Sequence, residues 1–266
     1  MKRFLNIVLF FMATAGAKGQ FYAQFTSGYS FSTNPSVQQN REVTDNLISM
    51  YRIRFSYGKG LYLNLSAGYR LDEHLSAEFL ASTALFTTSH SDHNWKQFFE
   101  QEYSRLHLTG LNGDARMRNA SVQLSPMFVY SIKAGKWTPY IKAGVNLLFV
   151  KTIYTNFYTY KYTNENLEEY LENTSLKRIY TGNWNAGFRG AIGIMYPIKD
   201  HVLFTAEFMA VNTSYRYKES KTVKFDVDGV DKLSTLTDNP HILRGDDGTV
   251  DYSHIGVNAG IRWIIK

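Results

Sequence analysis

Cysteine is absent from all 266 residues. Disulfide staples, thiolate nucleophiles and Cys-ligated zinc are excluded together. Long apolar runs are missing too. Beyond the N-terminus no stretch approaches the roughly 18 apolar residues that a membrane helix requires, and mean hydropathy is −0.29. A chain of this kind can cross a membrane only as a closed barrel, the other structure that satisfies every backbone group in lipid. An excess of one charge is also lacking. The formal net charge is +6, of which Lys2, Arg3 and Lys18 belong to an N-terminal leader, leaving +3. That is too mild to point to nucleic acid.

What the chain has in abundance is aromatic side chains, 19 Tyr and 18 Phe. This richness is high for a soluble domain and usual for a membrane barrel, whose interfaces are ringed with aromatics.

Residues 1–19 read as a secretory signal peptide. Lys2 and Arg3 form its basic start, Phe4 to Ala15 its apolar core interrupted by Asn6, and Ala17-Lys18-Gly19 a small-x-small cleavage site. Cleavage would leave Gln20 first, so the expected organisation is a leader over 1–19 and one barrel domain over 20–266. A membrane anchor helix fits less well, because the stretch is short and ends in a cleavage site. With no Cys after the apolar core, lipoprotein processing is excluded.

The clearest pattern runs from Leu61 to Phe86. Leu61, Leu63, Leu65, Ala67, Tyr69 and Leu71 alternate with Tyr62, Asn64, Ser66, Gly68 and Arg70. Asp72-Glu73-His74 supplies a turn, and the return strand sets Leu75, Ala77, Phe79, Ala81 and Leu85 against Ser76, Glu78 and Ser82. Period-two alternation predicts a hairpin with one apolar face. The same alternation marks Gln20 to Phe31, Ala120 to Ile132, Trp137 to Tyr154, Asn183 to Tyr196, Val202 to Tyr217 and Tyr252 to Lys266. Met50 to Tyr57 keeps the parity of Leu61 onward, which predicts one long strand bent at Gly58-Lys59-Gly60.

This makes eight strands, with connections alternating long and short. The rhythm predicts an all-β, eight-stranded antiparallel up-and-down transmembrane β-barrel with four long outer loops and short periplasmic turns. Two helices are expected within the loops. One is capped by Asn94 with Gln97 and carries Trp95 to Leu106; the other is a brief acidic one over Asn164 to Asn173. Tyr29 and Trp184 fall at the outer ends of the apolar faces, Tyr69, Trp137, Tyr196 and Trp263 at the inner ends, forming two interfacial girdles. A soluble ligand-binding barrel would turn its apolar face inward and carry many charges outside. Here the polar faces are small, Gly-rich and sparsely charged, which suits a narrow filled interior.

The polar faces collect Arg70, Glu78, Lys142, Arg189, Glu207, His254 and Arg262. Facing lipid, a charged residue costs about 2–4 kcal/mol near the midplane; inside, charges pair. Glu78 and Glu207 are expected in ion-pair networks, Glu78 with Arg70 across its own hairpin. The network serves as a plug that holds the barrel closed; a gated ion pathway or proton relay is the sharper alternative. His90, Asp92 and His93 lack a third metal ligand, since a strand sends His93 to the opposite face. Asp246 to Asp251 lacks the spacing and closing Glu of an EF-hand. Ser253 and His254 are adjacent in a strand and point oppositely, so they form no dyad. No catalytic set, cofactor or metal is expected.

The stretch GKGLYLNLSAGYRLDEHLSAEFLAS resembles the second strand, turn and third strand of the Bacteroidetes-type outer-membrane β-barrel proteins, through Gly68-Tyr69, Asp72-Glu73-His74 and Leu75 to Phe79. The resemblance implies a barrel similar to the OmpA/OmpX architecture; one branch of the family, the PorT-like proteins, is tied to protein secretion. The chain departs from the usual terminal aromatic, ending Trp263-Ile264-Ile265-Lys266. The expected role is non-enzymatic, structural or partner-binding, in the cell outer membrane. Its expected partners are outer-membrane lipids and a surface protein or glycan held by the loops, with the barrel itself a monomer. A lipid-modifying enzyme and a narrow pore or secretion component stand as alternatives.

Overall fold

The computed structural model describes residues 20–34, 36–44, 47–55, 57–95, 106–164, 169–236, 241–242 and 249–265. The expected signal peptide lies outside them. In chain order the strands are β1 (Gln20–Ser32), β2 (Ser36–Thr44), β3 (Leu47–Phe55), β4 (Gly60–Arg70), β5 (Leu75–Trp95), β6 (Leu106–Ser131) and β7 (Thr138–Asn164). Then come β8 (Glu169–Gly182), β9 (Asn185–Lys199), β10 (Val202–Asn212) and β11 (Ser214–Val227). The short β12 (Val230–Asp231), β13 (His241–Ile242) and β14 (Thr249–Asp251) precede the closing β15 (His254–Ile265).

Eight of these close into an antiparallel barrel in the order β1, β4, β5, β6, β7, β9, β10, β15 and back to β1. The registers carry Tyr22 through Gly68, Glu78, Met127, Gly144, Arg189, Val211 and His254 back to β1 at Ser32. The start at 22 and return at 32 give a shear of ten residues. Eight strands with that shear tilt by about 40° and enclose a cylinder of about 8 Å radius, narrow enough for side chains to fill.

Alternation decides what faces where. Outward positions are apolar and exposed, with Phe188 at 73% and Phe128 at 64%. Inward positions are polar and buried, among them Gln24, Asn64, Gln123, Asn146 and Thr205. From Ile132, just past β6, back to Val122 on it, the outward apolar face runs about 25 Å along the axis at this tilt. Phe21 lies 4.8 Å from Tyr69 and Trp137 4.7 Å from Tyr196, ring centre to ring centre, at the short-turn end. Trp263 stands at the same level, paired in register with Ala23. Tyr29 and Phe31 (5.0 Å) and Phe149 and Trp184 (5.7 Å) mark the other end.

Beyond the barrel the strands do not stop. β5, β6 and β7 run on past it, and β7 exchanges its partner β9 for β8 from Lys151 onward. β8 then pairs with β11, and β11 with β12, β13 and β14. A sheet therefore rises from one side of the barrel. Its inner face, with the rim of the lumen, holds a plug of Tyr57, Met117, Leu148, Val150, Tyr215, Tyr217 and Tyr252.

Several sequence expectations are corrected here. Met50 to Tyr57 does not continue into Leu61: β3 pairs with β2, and the chain breaks at Gly58 (φ +74°) before β4 starts at Gly60 (φ +137°). Asn94 and Trp95 cap no helix; they end β5, opposite Asn112 and Leu111. The rest of that predicted helix, 96–105, lies outside the described residues. Glu169 to Asn173 is strand, laddered to β7 rather than helical. Val202 to Tyr217 is two strands, parted at Thr213. In each case a long-range ladder overrides a local preference.

The first short turn is held by one carboxylate. Asp72 Oδ1 accepts from the backbone N–H of both His74 and Leu75, each at 2.7 Å. These two bonds hold the Asp72 carboxyl below the usual aspartate range. The contribution is therefore present above the ordinary aspartate pKa of about 3.9 and is lost as pH falls through the lowered value. We expect the His74 and Leu75 amide ¹⁵N–¹H signals of the folded protein to titrate together at a pH below that ordinary value. Asp72→Asn should abolish the titration; signals that move at or above the ordinary value would contradict this geometry.

Candidate functional site: a charged cluster across the lumen

The cluster grows from two identical rows. Tyr22 on β1 is in register with Gly68 on β4, which is in register with Glu78 on β5. Tyr140 on β7, Gly193 on β9 and Glu207 on β10 repeat the arrangement. In each row the glycine leaves the gap through which the tyrosine ring crosses the middle strand. A Cβ on Gly68 would stand 2.1 Å from Tyr22 Cζ, and one on Gly193 would stand 2.6 Å from Tyr140 Cζ. Tyr22 thereby donates its hydroxyl to Glu78 Oε2 at 2.9 Å, and Tyr140 to Glu207 Oε2 at 2.9 Å.

Lys142 joins the rows. Its Nζ lies 3.1 Å from Glu78 Oε1 and 2.7 Å from Glu207 Oε2, with the lysine only 1% exposed. Arg262 Nη2 reaches Glu78 Oε2 at 3.1 Å, its Nε donates to Gln24 Oε1 at 2.8 Å, and its plane covers the Tyr22 ring at 4.0 Å. Asn258 Nδ2 donates to Glu207 Oε1 at 3.0 Å. Two carboxylates meet two cations, so the cluster is neutral, and its bonds tie five strands together across the lumen.

Two sequence-predicted residues stand elsewhere. Arg70 does not pair with Glu78, because Gly68 is the residue opposite it. Arg70 is exposed at the strand end, donating to Asp72 O at 3.0 Å and Glu73 O at 2.7 Å. It lines, with Arg262, a cavity of about 310 Å³ open at the short-turn end. Arg189, 2% exposed, is inside but has no carboxylate within ion-pair distance among the described residues. It donates to Gln123 Oε1 at 3.3 Å, Asn64 Oδ1 at 3.4 Å and Met209 Sδ at 3.0 Å, all neutral acceptors. It forms a separate polar layer above the cluster. His254 is buried, stacked on Tyr62 at 5.1 Å, its Nδ1 2.9 Å from Tyr252 O.

Alternation alone does not single out the tyrosines as partners of the glutamates. The signal was there: a Tyr and a Gly on inward positions of neighbouring strands, each at the register of a Glu. Ser253 Oγ is engaged with Thr213, away from the His254 ring. Asp251 accepts from Ser253 N at 2.8 Å and Asn34 Nδ2 at 3.2 Å, as a turn cap does. The side chains of His90, Asp92 and His93 lie outside the described residues, as does 243–248. Among the described residues no group of three His, Cys, Asp or Glu is placed to hold a metal.

No protein-family model matches the chain, and no curated protein matches it. Solved structures do. Neisserial surface protein A is 11% identical, with a TM-score of 0.38 over 93% of this chain and 99% of that one. The outer membrane protein OprG from Pseudomonas aeruginosa is 14% identical, with a TM-score of 0.41 over 93% and 96%. The outer membrane protein AlkL, solved in lipid bilayers, is 12% identical, with a TM-score of 0.41 over 94% and 91%.

Removing Lys142 leaves two buried carboxylates facing each other. We expect Lys142→Met to destabilise the folded barrel by about 3–5 kcal/mol in urea titrations. Adding Glu78→Gln and Glu207→Gln should recover most of that loss; failure to recover would mean that the charges are not what the lysine serves. Gly68→Ala should cost about 1–3 kcal/mol by displacing the Tyr22 ring from Glu78, and Gly68→Ala combined with Tyr22→Phe should cost less than the two changes added.

Proposed function

We propose that this chain is an integral outer-membrane β-barrel protein that conducts nothing and works through the sheet that rises above its barrel. One observation carries the reading: the exterior is apolar for about 25 Å while the interior is polar and charged. A water-soluble barrel would have the reverse. The aromatic pairs at the two ends of that band serve as interfacial girdles, Tyr69, Trp137, Tyr196 and Trp263 on one side and Tyr29 and Trp184 on the other. The short turns, Gln20 and Ile265 share one end, which on this reading faces the periplasm; the rising sheet faces outward.

The lumen argues against transport. The neutral cluster crosses it low down, the Arg189 layer fills its middle, and the tyrosine plug fills its outer mouth. Side chains bonded from strand to strand across the lumen support a sealed interior. The same geometry supports a non-enzymatic role, since Glu78, Lys142, Glu207 and Arg262 are spent on one another. What remains available to a partner is the outer sheet, where Phe157, Leu171, Val223 and Val230 are exposed. Such apolar positions among polar ones suit contact with a surface protein. The Bacteroidetes-type resemblance of the β4–β5 hairpin fits this location and leaves the partner open.

Gel migration tests the barrel. Unboiled protein refolded in detergent should run ahead of boiled protein, and a single band insensitive to heating would refute the reading. In planar bilayers the folded protein should give a flat trace; discrete conductance steps would refute the sealed lumen.

A further inference from the structure

On the same reading, the outward face of the rising sheet has an order along each strand. On β6 the outward residues after Val122 are Ala120, Arg118 and Arg116. On β7, Leu147 and Phe149 are followed by Lys151. Along β10 and β11, Phe208 and Ala210 give way to Asn212, Ser214, Arg216 and Lys218. The five basic residues are all exposed. The first basic residues therefore appear at one level, just beyond the Phe149–Trp184 aromatic pair, with Phe157, Leu171 and Val223 exposed farther along the sheet.

The registers bring these residues together. Lys151 is opposite Ala120, which places Arg118 on its diagonal. Lys151 is also opposite Thr181, and Thr181 is opposite Glu219, next to Lys218 at a bulge. The patch spans four neighbouring strands, about 15 Å. Among the residues whose side chains are described, Glu219 interrupts it, and Glu172 and Asp226 stand toward the far ends of their strands. The other end of the barrel differs: its turns mix Asp72, Glu73 and Asp200 with Lys133, Lys136 and Lys199.

We infer that Arg116, Arg118, Lys151, Arg216 and Lys218 form a binding surface for the phosphate groups of anionic lipid in the leaflet at the sheet end. An exposed cation patch continuous with an apolar, aromatic-edged exterior is placed where acyl chains end and headgroups begin. Guanidinium groups offer paired donors to phosphate, and lysines add point charges. A soluble polyanion would need no such continuity with the apolar band. The inference rests on the membrane reading above.

The test uses the full chain refolded into phosphatidylcholine nanodiscs doped with diphosphoryl lipid A, with retained lipid counted by native mass spectrometry. Wild type should retain diphosphoryl lipid A over phosphatidylcholine, and more salt should weaken the preference. Arg118→Gln/Lys151→Gln/Lys218→Gln should retain about tenfold less. Lys133→Gln/Lys136→Gln, at the turn end, should match wild type. Should the triple variant fail to fold, Lys151→Gln alone should still lower retention. Equal retention by wild type and the sheet variants, all showing the heat-dependent gel shift, overturns the inference and leaves the barrel standing. Absence of that shift in wild type overturns both. If sucrose octasulfate, added as a probe, binds wild type and not the sheet variant while lipid retention is unchanged, the patch belongs to a soluble polyanion and the inference is overturned as well.

Discussion

A lysine ammonium only 1% exposed at the centre of a barrel about 8 Å in radius must be neutralised where it stands, because burial strips it of hydration. That requirement organises the lower half of this molecule. Lys142 needs two carboxylates, and Glu78 and Glu207 come to it from strands on different sides of the lumen. Each carboxylate needs its remaining lone pairs filled, and Tyr22, Tyr140, Arg262 and Asn258 fill them. Each tyrosine must cross a strand to do so, and Gly68 and Gly193 stand where it crosses. Replacing such a cluster with apolar side chains of similar volume would often be neutral or better for stability. What the cluster supplies here is register: a one-residue slip of β5, β7, β10 or β15 would turn a charge out to the apolar exterior.

The lumen is built in layers, and the layers explain why binding capacity would lie outside. At the turn end is a cavity edged by cations. Above it sits the neutral cluster, then Arg189 among Gln123, Asn64 and Met209, then tyrosines that pack on one another at the rim. The upper plug is held by contacts such as Tyr215–Tyr217 at 5.2 Å and by hydroxyl bonds linking Thr152, Asn119 and Tyr217. Because the inner faces of β6, β7 and β11 are committed to this plug, the sheet they form presents its opposite face to the surroundings.

The eight barrel strands were legible because each has one buried and one exposed face, and period two records that faithfully. The inward charges were legible for the same reason: Glu78, Lys142, Glu207 and Arg262 interrupt polar faces, never apolar ones. Pairing was not, because it depends on register between strands distant in sequence. Proximity within a hairpin matches Arg70 to Glu78, whereas the register puts a glycine there and gives the glutamate to residues 64 and 184 positions away. The rising sheet was missed altogether. Its strands are polar on one face and tyrosine-rich on the other, so they read as loops with helical stretches; only partners far along the chain make them strands.

The two Tyr-Gly-Glu rows have a further consequence. One occupies β1, β4 and β5, the other β7, β9 and β10, and each is followed by one more barrel strand, β6 and β15. Half a turn about the barrel axis carries the first set onto the second. A four-stranded unit cannot close on itself, but two copies can. The two halves match at tyrosine, glycine and glutamate and differ two residues past each tyrosine, where one carries Gln24 and the other Lys142.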